Sequence, residues 1–263
     1  MAVVAAVIAG LCLWSAAGAA QAAGAFSNWA VVVVAGDWHA DGGAPTEVFD
    51  NARRDLAKAF VKAGFSPDNI LQFSVRPERY PAETTLKSDA ETIFAEFGRL
   101  TTQATGGCLI YFTTHGAPAT HDNPAGIGVN GQLWGADMMS PLVDASCGNR
   151  PTVVVLSACY SGALIPAVSG PNRMVLTAAR SDRSSFGCSA EDRYTFFDNC
   201  VLQQLPLVSD FLGLGRAVTA CIAMREEDLQ LMPPSEPQTN IGALLQPLLS
   251  KLAFTKPPPM AQR

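Results

Sequence analysis

Two residues in this chain have the chemistry for covalent catalysis if the fold brings them together: Cys159 and His115. A thiolate is a strong nucleophile, and an imidazole titrates close enough to neutrality to take up a proton and return it. Each follows an apolar run. Thr152–Gly162 reads TVVVLSACYSG, with Pro151 before the run and Ser161-Gly162 turning the chain after it. Gly106–Gly116 reads GGCLIYFTTHG and runs from glycines through apolar residues to His115. Short apolar runs between turn residues predict strands buried on both faces, as in a parallel sheet. As neighbours, the two strands deliver His115 and Cys159 side by side at the carboxyl edge, where an open α/β sheet keeps its ligand crevice. A helix opening after Cys159 would add its dipole in favour of the thiolate.

Other residues compete for these roles. A cysteine at a strand end, taken alone, reads as a small buried hydrophobe. His121 lies in a Pro-flanked loop and reads as a solvated side chain; His39, in the loop after the first strand, reads equally as site lining or surface. The chain has three histidines, with no second Cys or His at ligand spacing, so no metal site is expected and no cofactor is called for.

The elements that must hold the pair follow from periodicity. Trp29–Gly36 (WAVVVVAG) predicts a first buried strand, followed by a loop over 37–45 with Trp38, His39 and Asp41 at the same edge. Val48, Phe49, Ala52, Leu56, Ala59, Phe60 and Ala63 recur at helical spacing, and Gly64 ends that helix. Asn69–Ser74 predicts a short strand and Arg76–Thr85 a loop. Ser88-x-x-Glu91 predicts a capping box for a helix through Leu100. Ile127–Trp134 predicts a hairpin turning at Asn130-Gly131. A helix over 136–145 and a strand over Arg173–Ala178 flank the Cys159 strand. Arg180–Asn199 is polar and predicts a substrate-facing loop. Val208–Leu231 predicts an amphipathic helix, Pro233–Gln238 a linker and Ile241–Phe254 a last helix. This order implies a mainly parallel sheet with helices on both faces.

The bulk numbers set the frame. At 263 residues, 48% hydrophobic and 16% charged, the chain is globular and core-rich. Net charge is −5 and no basic cluster is present, which excludes a nucleic-acid partner. Residues 1–36 carry no charged side chain; an apolar run over Ala2–Trp14 and an Ala20-Gln21-Ala22 cleavage pattern predict a signal peptide over 1–22, too short for a membrane span. The n-region lacks the usual Lys or Arg. Periplasmic or secreted localisation follows. Of the seven cysteines, Cys12 leaves with the signal segment and Cys159 is the nucleophile. Cys108, Cys147, Cys188, Cys200 and Cys221 remain, an odd set with room for one or two disulfides and at least one free thiol. Cys108 and Cys147 lie near the ends of neighbouring strands remote from Cys159, so a bond between them is expected.

The motifs also carry a resemblance. An apolar block ending in His-Gly, then one ending in Ala-Cys, resembles the caspase-like clan of cysteine peptidases, with a His-to-Cys separation near the about 50 residues of caspases. Within it, YFTTHG (111–116), SACYSG (157–162) and TAARSDRSSFGC (177–188) resemble the legumain family of asparaginyl endopeptidases over about 31–197. The resemblance implies an α/β, caspase-like three-layer sandwich; with the elements read above, the peptidase domain spans 23–232, and 233–263 is a linker and C-terminal helix packed on the domain or a tail. It implies a cysteine endopeptidase acting on a peptide or protein substrate through a Cys159 thioester, with His115 as general acid/base. A transpeptidase or amide ligase would use the same dyad, and a non-catalytic binding module would lack it. The resemblance further implies an oxyanion hole from the N–H groups of Cys159 and Gly116, the glycine letting a substrate backbone approach. It places Ser184 and Ser185 at a substrate-binding Ser-Ser pair, and Tyr160 where animal and plant enzymes have Glu. Asp198 or Asn199 stands at an acidic substrate-binding position, and Phe49 and Asp50 where relatives have an Arg.

Overall fold

A computed structural model describes residues 24–255; the predicted signal segment lies outside the described residues. The elements in chain order are β1 (Trp29–Ala35), α1 (Val48–Lys62), β2 (Ile70–Ser74), β3 (Thr85–Lys87), α2 (Ala90–Gln103) and β4 (Gly107–Thr113). There follow β5 (Gly116–Ala117), β6 (Gly126–Val129), β7 (Gln132–Trp134), α3 (Ala136–Cys147), β8 (Thr152–Ser157), α4 (Ile165–Val168) and β9 (Arg173–Thr177). The chain continues through α5 (Phe196–Gln204), α6 (Phe211–Asp228), β10 (Gln238–Ile241) and α7 (Gln246–Leu249).

Strands β1, β4, β8 and β9 are buried along their whole length, and the reason lies in how their side chains alternate. Val31, Val33, Leu109, Tyr111, Val153, Val155, Met174 and Leu176 enter one core with residues of α1, α5 and α6. Ala30, Val32, Val34, Ile110, Phe112, Val154, Leu156 and Val175 enter the other, with residues of α2 and α3. A strand covered on both faces has no polar side to show, hence the unbroken apolar runs. The sheet order is β10-β9-β8-β4-β1-β2-β3. All neighbouring pairs are parallel except β10 with β9. The protein is thus a three-layer α/β sandwich. The chain winds outward from β1 through β2 to β3, then returns to β4 on the other side, so the switch in direction falls between β1 and β4. The loops after β1, β4, β8 and β9 all leave the same edge.

Several expectations need correction. Thr85–Lys87, placed in a loop, pairs with β2 as the parallel strand β3. The cap of α2 is Asp89, which accepts from Thr92 N at 2.9 Å, and not Ser88. Ser88 is spent instead on the sheet, its N–H donating to Ser74 O. The polar stretch 180–199 is not loop throughout, because α5 begins at Phe196. The expected final helix over Ile241–Phe254 is confined to α7. Gln238–Ile241 adds instead an edge strand antiparallel to β9, with Leu245, Leu249 and Phe254 buried in the first core. Residues 238–254 are thus part of the sandwich.

Asn130 and Gly131 both have positive φ (50° and 79°), so the hairpin β6–β7 turns where the sequence predicts. Cys108 and Cys147 form a disulfide with Cα atoms 6.0 Å apart; a second, Cys200–Cys221, ties α5 to α6. The Cys108–Cys147 bond closes a sequence separation of 39 residues. Replacing both cysteines by alanine is expected to lower stability by about 4 kcal/mol on chain-entropy grounds. A urea midpoint decides it: an unshifted midpoint contradicts that contribution, while chemistry at the opposite end of β4 stays intact.

Candidate active site

Strands β4 and β8 pair in register from Cys108↔Thr152 to Thr113↔Ser157, and Thr114 N then donates to Ser157 O at 3.1 Å. His115 and Cys159 each lie two residues past the last rung. Neighbouring strands run about 4.8 Å apart, so the two leave the sheet together.

His115 is held on two sides. Its ring packs edge-on against Phe49, with centroids 5.0 Å apart at 80°. Its Nε2 lies 2.9 Å from the backbone oxygen of His39. A carbonyl can only accept, so Nε2 carries the hydrogen and Nδ1 keeps its lone pair for proton transfer. The His39 carbonyl is placed by Asp37, whose Oδ1 accepts from Trp38 N (2.6 Å), His39 N (3.0 Å) and His39 Nδ1 (2.8 Å). Burial opposes the charge on Asp37, but the bonds from His39 and Trp38 and the nearby His115 outweigh it and hold its pKa below the usual value. The anchor therefore keeps its charge further into acid than an ordinary aspartate does.

Cys159 Sγ accepts from Ser185 N at 3.2 Å and lies 3.5 Å from Ser185 Oγ. A thiolate uses such a donor better than a thiol does. Tyr160 N donates to Arg183 O (2.8 Å), and Ser184 Oγ donates to Tyr160 OH (3.1 Å). These bonds hold Tyr160 at φ 56°, a left-handed conformation that a bulky side chain adopts only when its surroundings impose it. Ser185 thus lies against the sulfur, and Ser184 against the side chain of Tyr160. The expected helix dipole is minor: one 3-10 turn (Ser161–Leu164) and the four-residue α4 follow Cys159, too short for a strong field.

Gly116 is required by the fold itself. A Cβ there would sit 1.8 Å from Cys159 O, so it is the cysteine's own backbone that passes too close for a side chain. Gly128 N donates to His115 O, which makes Gly116↔Ile127 a non-hydrogen-bonded rung of β5–β6. The Gly116 N–H therefore faces away from β6. Cys159 N–H also has no partner among the described residues.

Asp198 is not in a substrate pocket. It is fully buried in the first turn of α5, accepting from Tyr111 OH (2.7 Å) and Thr113 Oγ1 (2.5 Å) beneath the site. Thr195 caps the same helix and touches Ser157 Oγ at 3.1 Å. Asp198 pins α5 to the strand that carries His115. Burial raises its pKa, against the hydrogen bonds from Thr113 and Tyr111 that favour the charged form. With a raised folded pKa, stability falls as pH rises from the ordinary carboxylate value through the shifted one. Two outcomes are expected. Asp198→Ala strands two buried hydroxyls and costs about 2–5 kcal/mol. Asp198→Asn keeps the shape and removes the pH dependence, so the stability of the wild type relative to it declines with rising pH. Parallel melting curves of the variant and wild type across pH would refute this.

Asp50 is likewise structural. It is buried, with Arg53 Nε at 2.9 Å and Ser74 Oγ at 3.0 Å. His121 is exposed, and His39 contributes its carbonyl while its ring binds Asp37. One cluster of potential ligand atoms escapes the spacing argument used above. Asp41, His115 and Cys188, from three separate loops, place one ligand atom each within 4.8 Å of one another. Spacing along the chain could not reveal this. Cys188 is one of two free thiols among the described residues. Burial first, then Asp41, Cys159 and Asp192, push it up to about 12.

Comparison with known proteins places this geometry. The model of the peptidase C13 family matches residues 28–207, the segment that contains every element of the site described above. The chain belongs to the peptidase C13 family. This is the legumain family, whose members are cysteine peptidases, and the match takes in His115, Cys159 and the 177–188 segment. Among solved structures, caspase-1 from Spodoptera frugiperda is similar in fold, with a TM-score of 0.57 at 13% identity over 81% of this chain and 88% of that one. At that identity the likeness concerns the fold, which is caspase-like. No curated protein matches the chain in sequence. No helix among the described residues is long and apolar enough to cross a membrane.

Proposed function

We propose that this C13 family member is an endopeptidase in which Cys159 forms a thioester with the substrate and His115 acts as general acid/base. The observation that carries the reading is the shared register: both residues stand two positions beyond the Thr113↔Ser157 rung. The Cys159 thiolate attacks the scissile carbonyl carbon. The N–H groups of Cys159 and Gly116, both without a ladder partner, suit the oxyanion that forms. His115, protonated at Nδ1, gives that proton to the departing amine as the C–N bond breaks. It then takes a proton from water, whose oxygen attacks the thioester and releases the acid and the thiolate.

Ser185 Oγ lies 3.5 Å from the Cys159 sulfur, the hydroxyls of the chain neighbours Ser184 and Tyr160 are bonded to each other, and such hydroxyls can hydrogen-bond a carboxamide. The nearby arginines are already engaged: Arg180 pairs with Asp182 and Glu236, Arg183 with Asp182, and Arg193 with Asp55. A substrate carboxylate finds no free cation among them. The enzyme is expected to prefer a small uncharged polar residue, with asparagine the leading choice, on the amino side of the cleaved bond. Fluorogenic peptides varied at that position test the reading. Faster cleavage after Asp than after Asn at pH 7, or fastest cleavage after Lys or Arg, would overturn the specificity. A peptidyl thiol-reactive probe bound elsewhere than Cys159 would overturn the nucleophile. Export to the periplasm or outside the cell is part of the proposal, supported by the two disulfides, which suit an oxidising compartment.

A further inference from the structure

We infer that Asp41, His115 and Cys188 form a zinc-binding site whose occupation switches the enzyme off. Their donor atoms lie within 4.8 Å of one another. A four-coordinate zinc ion with bonds of about 2.0–2.3 Å sets its ligands about 3.3–3.8 Å apart, so the three need close in by only about an ångström. Asp41 is exposed and free to make that movement. Its backbone is already tied to Cys188, with Asp41 N donating to Cys188 O at 3.1 Å. Imidazole, thiolate and carboxylate together suit zinc rather than magnesium or calcium, which take oxygen ligands.

One further observation fits a cation: the bond from His115 Nε2 to the His39 carbonyl. Metal-binding histidines usually donate their second ring N–H to a carbonyl or carboxylate, and here that bond leaves Nδ1 as the ring nitrogen with a lone pair to give. On binding, Cys188 releases its proton to solvent as the sulfur joins the ion, and water or a substrate group fills the fourth position. No electron changes hands.

The inhibitory part rests on the proposed role of His115. An ion on Nδ1 takes the lone pair that would carry the proton, so neither the leaving amine nor the attacking water is served. Zinc binding itself does not depend on that role.

The experiment titrates purified full chain with zinc alone against a chromophoric chelator and follows peptide hydrolysis at the same free zinc. The expected result is one ion per chain. Affinity should fall at least tenfold in Cys188→Ala and in Asp41→Ala, and remain within threefold of wild type in Cys159→Ala. Cobalt(II) should give a sulfur-to-metal charge-transfer band that survives Cys159→Ala and vanishes in Cys188→Ala. Zinc should suppress hydrolysis over the range in which it binds. Cys188→Ala, compared with its own metal-free rate, should need at least tenfold more. Binding lost in Cys159→Ala but kept in Cys188→Ala would put the ion on the nucleophile and overturn the site, as would no binding at all. Zinc bound as expected without suppression would overturn the inhibitory role. If the chain hydrolyses no peptide, the function reading fails, and the titration and cobalt band still decide the site.

Discussion

Cys159→Ala is expected to abolish peptide hydrolysis, with a rate at least about 10⁴-fold below wild type, as when other covalent enzymes lose their nucleophile. A methyl group cannot form the thioester, and no neighbouring hydroxyl is placed to replace it with His115's help. Ser185 Oγ lies 3.5 Å from the sulfur, but it sits on the loop after β9 and not at the end of β8. The fold should survive. The side chain is only partly buried, and what it loses is the bond from Ser185 N, at a cost of about 1 kcal/mol. Melting temperature and hydrolysis are therefore measured on the same preparation. Residual turnover within a hundredfold of wild type in a well-folded variant would rule out the covalent mechanism.

The second large effect is expected at Gly116. An added Cβ would meet Cys159 O at 1.8 Å, its carbonyl carbon at 2.8 Å and its nitrogen at 3.1 Å, all backbone atoms that no rotamer change can clear. Gly116→Ala must therefore push the His115 loop and the Cys159 loop apart. A displacement of about 1 Å in a catalytic constellation costs about 10²-fold in rate, so kcat/KM should fall at least that far. Overpacking should cost about 1–3 kcal/mol as well. Gly128 is the control. It lies on the neighbouring strand, and a Cβ there would approach His115 O no closer than 3.7 Å, an ordinary contact. Gly128→Ala should stay within a few-fold of wild type. Equal losses at the two positions would mean that the effect of Gly116→Ala is not this contact.

How far the sequence reaches can be argued residue by residue. The runs WAVVVVA, CLIYFT and TVVVLS announce buried parallel strands because a strand covered on both faces must be apolar at every position. Side chains that end such runs share a sheet edge, so His115 and Cys159 could be paired from spacing alone. Asn130-Gly131 marked its turn because few residues accept positive φ. These signals are local, and local chemistry is enough to produce them.

What tertiary structure alone decided has no local signature. The group that orients His115 is the carbonyl of His39, and every residue carries a carbonyl, so no residue type could announce it. Asp198 looked like a pocket acid. Only the packing of α5 over β4 shows a buried carboxylate bonded to Tyr111 and Thr113. Gln238–Ile241 carries no strong strand pattern, and it becomes a strand because β9 presents an unpaired edge. Asp41, His115 and Cys188 are far apart along the chain, and they meet because the loops after β1, β4 and β9 leave one edge of one sheet.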